Sequence, residues 1–378
     1  MSISYKELAT KGVQGLTPYL PGKPIEELER ELGITDTLKL ASNENPLGPS
    51  TAVQEALAKE VSGLHLYPDG SGHKLRQRLA KEHNLDMSQV TLGNGSNDVL
   101  ELIARAFLTD QSSAVFSEFA FAVYPIVVQA VGAKANIAPA YPAAHESMPY
   151  GHDLDAILKS VDSNTKLVFL ANPNNPTGTW LEPSALRQFL TEIDKNIIVV
   201  LDEAYFEYMP ESLKPDSVKW LNEFSNLIIT RTFSKIHALA GLRVGYALSN
   251  SEIADLLNRV RQPFNVNTMA QIAACTALDD QMHVAQSVVI NTQGLKQLMI
   301  GFDELGLKYI PSIGNFITVD MNQNAAPLYD ALLHQGIIVR PVANYGLPDH
   351  LRVTVGNKQQ NERVLLALDT VLNEMNHD

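Results

Sequence analysis

Through the middle of the chain, short runs of apolar and β-branched residues alternate with longer stretches of helical period, and each run breaks off into polar residues. Residues 166–171 (KLVFLA) run into Asn172, residues 196–201 (NIIVVL) into Asp202, and residues 227–230 (LIIT) into Arg231. Weaker runs at 90–92 and 114–116 behave alike. Amphipathic patterns over 51–60, 73–84, 99–107 and 183–193 separate them, with Ser50 placed to cap the first. Strands apolar on both faces and joined by helices predict βαβ crossovers and a mostly parallel sheet sandwiched by helices, an α/β fold. All the polar exits then share one rim. After Pro263 the pattern changes: a long helix is expected from 268 past Asp279 and Asp280 to 304, then strands at 316–319, 337–339 and 351–355, and a closing helix at 360–375. Before the sheet, prolines at 18, 21 and 24 precede one short helix at 25–32, and a strand at 38–41 leads into the turn cluster 42–49. The expected division is an N-terminal arm over 1–29, a large domain over 45–264, and a smaller α+β domain made of 30–44 with 265–378.

Composition narrows the possible partners. With 378 residues and 45% hydrophobic content the chain has enough apolar material for more than one core. A formal charge of -13 argues against nucleic acid and against anionic lipid, so an anionic substrate needs a local basic pocket. The single Cys275 sits among small residues and reads as a core thiol, and no disulfide can form within the chain. The N-terminus lacks a signal-type apolar core and the longest apolar runs are strand-sized, so a cytoplasmic protein with no membrane span is expected.

The chemistry concentrates at the strand exits. Ligands of open α/β sheets bind outside the carboxyl ends of the strands. Lys235 lies there with Thr232 and Ser234 beside it and Arg243 eight residues on, an anion site containing an amine. A lysine among cations or in a desolvated pocket loses proton affinity and can form a Schiff base with an aldehyde. Pyridoxal phosphate is an aldehyde carrying a phosphate, and each of its demands has a candidate here. Asp202 suits a pyridinium nitrogen, while Asn175 and Tyr205 can donate to the phenolic oxygen. Gly95, Ser96 and Asn97 open a helix after a Gly-rich turn and form an N–H cradle for phosphate, and Thr232, Ser234 and Arg243 complete it. Phe119, leaving the 114–116 strand, offers a stacking face, and Tyr67 a hydroxyl for phosphate. No metal is called for: the ten histidines show no HExxH spacing and there is no Cys-rich set.

NPNNPTG (172–178), DEAY (202–205) and RTFSKIHALAGLRVGY (231–246), in that order, resemble the signature of the class I/II pyridoxal-phosphate aminotransferases. KLASNENPLGPS (39–50), YPDG (67–70), GNGSND (93–98), IIVRPVANYGLP (337–348) and LRVTVG (351–356) are similar to the histidinol-phosphate aminotransferase branch of that family. The resemblance covers almost the whole chain. It implies a fold type I homodimer with active sites at the subunit interface, transamination between L-histidinol phosphate and 2-oxoglutarate, and a place in histidine biosynthesis. It makes Lys235 the Schiff-base lysine and proton carrier, and it sends Tyr67 to the cofactor phosphate of the other subunit. Arg352 becomes the substrate-carboxylate arginine, whose planar fork holds two oxygens, with Arg340, Tyr19 and Asn43 as further substrate-binding residues.

Four positions depart from the family pattern. Phe119 stands where Tyr is frequent, Asn97 and Asp98 where Asp and Glu are usual, and His237 where an aromatic residue is common. Three other readings share part of the signature: an aromatic amino-acid aminotransferase, a lyase like threonine-phosphate decarboxylase, and the ligand-sensing half of a transcription regulator. The last expects an appended basic DNA-binding domain, which the sequence lacks.

Overall fold

Among the described residues, seven strands hydrogen-bond side by side in the order Val90–Gly93, Gly245–Ser249, Leu227–Thr232, Ile198–Asp202, Thr165–Ala171, Ser113–Ser117, Lys134–Ala138. Gly245–Ser249 alone runs against its neighbours. The computed structural model describes residues 4–19 and 21–375; residues 1–3 and Leu20, which fall in the arm expected over 1–29, and residues 376–378 lie outside it. No helix of the described residues is long and apolar enough to cross a membrane.

The central strands are buried on both faces, and their period of two divides the core. Val168, Leu170, Val199, Leu201, Leu227 and Ile229 face one helical layer, whereas Leu167, Phe169, Val200 and Ile228 face the other. Each such side chain contributes roughly 1.5–3 kcal/mol on leaving water. The same alternation governs the charged residues at the strand ends. Asp202 shares a face with Val200, and Glu203 turns to the face of Leu201. There Glu203, fully buried, accepts from Arg231 Nε at 2.9 Å and Nη2 at 2.7 Å, and the guanidinium lies 3.8 Å from the centre of the Phe206 ring. This ion pair ties the ends of two neighbouring strands on the side away from Asp202.

A four-stranded antiparallel sheet forms the smaller unit, in the order Arg340–Val342, Leu347–Thr354, Phe316–Asp320, Lys308–Ile310. Leu38–Lys39 pairs in parallel with Ile337–Ile338 beside it. Helix Ile25–Leu32 sets Leu28 against Ala41 and Ile338, so this part of the arm packs on the smaller unit. Earlier in the arm, helical turns Tyr5–Leu8 and Lys11–Gln14 carry exposed Tyr5, Leu8 and Val13.

Several features differ from the sequence reading, among them the following. The helix expected over 268–304 is two, Thr268–Asp279 and Gln281–Glu304, because Asp280 leaves the helical backbone and its carboxylate caps the second by accepting from His283 N. Thr268–Asp279 was grouped with the smaller domain, yet its Ala270, Ala273, Ala274 and Ala277 pack into the core of the large sheet. The chain merely turns at Pro263. Lys134–Ala138 is an edge strand whose mostly exposed residues (KANIA) carry no apolar run to betray it. Helix Ala325–His334 also went unread.

Replacing Glu203 by Ala is expected to cost roughly 3–5 kcal/mol, because it strands a buried guanidinium. Urea unfolding of the two proteins measures it, and a loss below about 1 kcal/mol contradicts a stabilising role for the pair.

Candidate active site

The polar exits converge on a cleft between the carboxyl rim of the large sheet and the smaller unit, with an empty volume of about 980 Å³ counting its open mouth. Strand register sets its floor. Ala171 lies opposite Asp202, and Asp202 opposite Thr230, so side chains from three strands meet at one level. Asp202 accepts from Tyr124 Oη at 2.9 Å and from Thr230 Oγ1 at 3.0 Å. Burial pushes its carboxyl up to about 6 against these two donors, which pull the other way. A buried carboxylate of this kind gains most from a cation brought against it.

Lys235 follows the end of Leu227–Thr232 and donates from Nζ to Ser42 O at 2.9 Å. Burial draws the amine down to about 7; Arg352 and, less strongly, Arg243 and Lys39 push the same way, while Glu44 opposes them. At neutral pH much of this amine therefore carries a free lone pair.

The turn expected to cradle a phosphate opens onto the same cleft. Gly95 precedes helix Ser96–Phe107 at φ +90°, and a Cβ there would fall 2.2 Å from Arg243 Nη2. Gly245 is likewise required, since its Cβ would meet Ser96 N at 2.5 Å. Asp98 closes the turn by accepting from Asn94 N at 2.7 Å and from Asn265 Nδ2 at 2.9 Å, so an aspartate suffices at this departure from the family pattern. Ser96, Asn97, Thr232, Ser234 and Arg243 line the cleft together. Arg243 Nη1 reaches Ser234 Oγ at 3.4 Å, and its backbone holds a left-handed φ of +57°, unusual for a long side chain and frequent at functional sites.

The smaller unit brings arginines to the cleft. Arg352 donates from Nη2 to Ala41 O at 2.7 Å and from Nη1 to Asn175 Oδ1. Its buried Nε has no acceptor among the described residues, which leaves a donor for an anion. Arg340, Tyr19, Gly22 and Asn43 also line the cleft, with the Arg340 guanidinium 5.7 Å from the Tyr19 ring. The Asn43 amide donates to Tyr205 Oη at 2.8 Å.

Two sequence candidates stand apart. Phe119 packs edge-on against Tyr150 and among Val342, Tyr345 and Leu347, and Phe121, two residues on, lines the cleft in its place. The short strand ends at Ser117, and the turn that follows directs Phe119 into the contact between the two units. Tyr67 is 83% exposed and stacks on Phe264, outside the cleft of its own chain. His237 is buried beside Phe233, and burial lowers its imidazole to about 4, so it is neutral. Sequence reasoning missed Tyr124, Thr230 and Ser42. Thr230 was within reach, being two residues before Thr232 on one strand face; Tyr124 and Ser42 meet their partners only through the fold.

The donor set fits pyridoxal phosphate: a buried carboxylate for the ring nitrogen, a nucleophilic amine for the aldehyde, hydroxyl and amide donors between them, and backbone N–H groups with an arginine for the phosphate. Relatives agree. A 54% identical protein of Pseudomonas fluorescens (strain Pf0-1), histidinol-phosphate aminotransferase 2, aligns over 98% of this chain and 99% of its own. Its namesake in Methylococcus capsulatus (strain ATCC 33009 / NCIMB 11132 / Bath) is 54% identical over 98% and 100%. The crystal structure of histidinol-phosphate aminotransferase from Sinorhizobium meliloti, in complex with pyridoxal-5'-phosphate, superposes with a TM-score of 0.88 at 27% identity, covering 97% of this chain and 98% of that one. Residues 35–368 match the family described as aminotransferase class I and II, and the chain belongs to that family.

Proposed function

We propose that this chain is a pyridoxal-phosphate-dependent histidinol-phosphate aminotransferase, exchanging an amino group between L-histidinol phosphate and 2-oxoglutarate in histidine biosynthesis. The observation that carries the reading is the meeting of the partly deprotonated Lys235 with two arginines, Arg340 and Arg352, in one cleft. Histidinol phosphate lacks an α-carboxylate but bears a phosphate on the adjacent carbon. An arginine pair therefore serves that phosphate in one half-reaction and the carboxylates of glutamate in the other.

Bound in the cleft, pyridoxal phosphate supplies the aldehyde that takes up the substrate nitrogen and the ring that delocalises electrons released at the neighbouring carbon. Lys235 Nζ accepts the proton from the amine-bearing carbon. Asp202 keeps the ring nitrogen protonated. Arg352 engages Asn175 Oδ1 and so leaves the Asn175 amide N–H groups to donate to the phenolic oxygen, together with Tyr205. Gly95, Ser96, Asn97, Thr232, Ser234 and Arg243 hold the phosphate, and Phe121 is the aromatic at hand for the ring.

The working unit in this reading is a cytoplasmic homodimer. The exposed apolar stretch of Val61, Leu64, Leu66 and Tyr67 supports it, as do exposed Tyr5 and Leu8 of the arm, because contiguous apolar surface of this kind marks a contact. Tyr67, turned away from its own cleft, then reaches the phosphate of the second subunit.

Two measurements check the reading. The purified protein is expected to show the visible absorbance of lysine-linked pyridoxal phosphate, absent in Lys235→Ala, and to lose it fastest with L-histidinol phosphate when 2-oxoglutarate is withheld. Faster loss with L-phenylalanine moves the assignment to aromatic amino acids, and carbon dioxide from L-threonine phosphate moves it to a lyase. The single-turnover rate is expected to fall as pH drops through about 7, because protonated Lys235 accepts no further proton. Glu44 favours the ammonium form, so Glu44→Gln should shift that limb to lower pH; an upward shift or none refutes the assignment of the limb to Lys235.

A further inference from the structure

Thr354 is buried on the last residue of strand Leu347–Thr354, two residues beyond Arg352 and on the same strand face, and the assignments above give it no role. Its neighbour across the boundary between the two units is Asn43. Thr354 N donates to Leu40 O at 2.9 Å, and Arg352 holds Ala41 O, so the segment leading to Asn43 is fastened to the end of this strand. Asn43 itself takes a left-handed φ of +56°, a conformation that asparagine tolerates and that the surrounding contacts enforce.

The hydrogen bonds around Asn43 have a direction. Asn43 N–H donates to Thr354 Oγ1 at 2.9 Å, and the Thr354 hydroxyl donates back to Asn43 Oδ1 at 3.3 Å. With the amide oxygen so engaged, the amide nitrogen faces Tyr205 and donates to Oη at 2.8 Å. We infer that Thr354 is a positioning residue that, through Asn43, aims the Tyr205 hydroxyl proton into the cleft. A phenol donates one proton, and when its oxygen accepts from Asn43 that proton is free for the phenolic oxygen of pyridoxal phosphate. Were the Asn43 amide reversed, its oxygen would face Tyr205 and take the proton instead. Tyr205 can pair with either end of the amide, whereas the threonine hydroxyl already accepts from Asn43 N–H and has its proton left to give, which favours the amide oxygen on its side. The strand that carries the substrate-binding Arg352 thus also sets the polarity of a cofactor contact on the other unit.

The inference rests on the reading of Tyr205 as a donor to pyridoxal phosphate, and the test separates the two. The pH midpoint of the visible absorbance of the loaded enzyme is measured for wild type, Thr354→Val, Thr354→Ser and Tyr205→Phe, and for Thr354→Val combined with Tyr205→Phe. A donor to the phenolic oxygen favours the deprotonated chromophore, in which that oxygen holds the charge, so weakening the donor raises the midpoint. Thr354→Val is expected to raise it by about half a pH unit, roughly threefold in proton affinity, as suits one hydrogen bond. Thr354→Ser keeps the hydroxyl and should leave it in place, and Thr354→Val should add nothing once Tyr205 is Phe. Thr354→Ala makes the same comparison if the valine variant does not fold. An unmoved midpoint in Thr354→Val, an equal shift in Thr354→Ser, or a full shift without the tyrosine hydroxyl overturns the inference while leaving the cofactor reading intact. A wild type with no chromophore overturns both.

Discussion

A sheet buried on both faces can carry charged groups only at its ends, where each must find a partner or a ligand. That constraint organises this molecule. The central strands are largely apolar along their length, and at the carboxyl rim the period of two sends Asp202 to one face and Glu203 to the other. Glu203 meets Arg231 and is neutralised, closing the face away from the ligand. Asp202 meets neutral donors, the hydroxyls of Tyr124 and Thr230 and the Ala204 backbone, and burial holds its carboxyl high. One carboxylate is spent on the fold, and its neighbour is left in want of a cation.

Lys235 is the complementary case. Burial draws down the proton affinity of its amine and the neighbouring cations Arg352 and Arg243 add to this, so the amine becomes a nucleophile. The same arginines that would bind anionic substrate and cofactor groups prepare the lysine by their charge. Affinity and reactivity therefore arise from one electrostatic arrangement, in which anions are welcome and a second ammonium is not.

The cleft is shared between two units, and segment 40–45 is where they are laced together. Ala41 O holds Arg352, Ser42 O holds Lys235, Asn43 joins Thr354 to Tyr205, and Asn45 Nδ2 joins Ile236 O to Ser287. Positions 41, 42, 43 and 45 between them reach residues of both units, and Lys235, Tyr205 and Arg352 are among the groups they hold. Movement between the units is therefore felt at the lysine, at the tyrosine and at the substrate arginine together.

Much of this was legible in the chain alone. Apolar runs that end in Asn172, Asp202 and Arg231 gave the sheet and its rim, and the glycines of 93–95 with Ser96 announced a helix N-terminus open to phosphate, because these signals are local: hydrophobic period, turn chemistry and residue type within a few positions. The split of 268–304 at Asp280, the edge strand Lys134–Ala138 and the allegiance of Thr268–Asp279 were not, since capping geometry and the choice of packing partner depend on contacts far along the chain. Phe121 rather than Phe119 faces the cleft for the same reason: a turn after Ser117 decides it, and the composition of the turn does not. The amino-acid sequence by itself determined which residue types stand at the strand ends and hence the class of chemistry. Only the tertiary structure decided which of them meet, that Tyr124 and Thr230 serve Asp202 and that Thr354 orients Asn43, because hydrogen-bond direction and burial are properties of neighbours brought together from 28 to 311 residues apart.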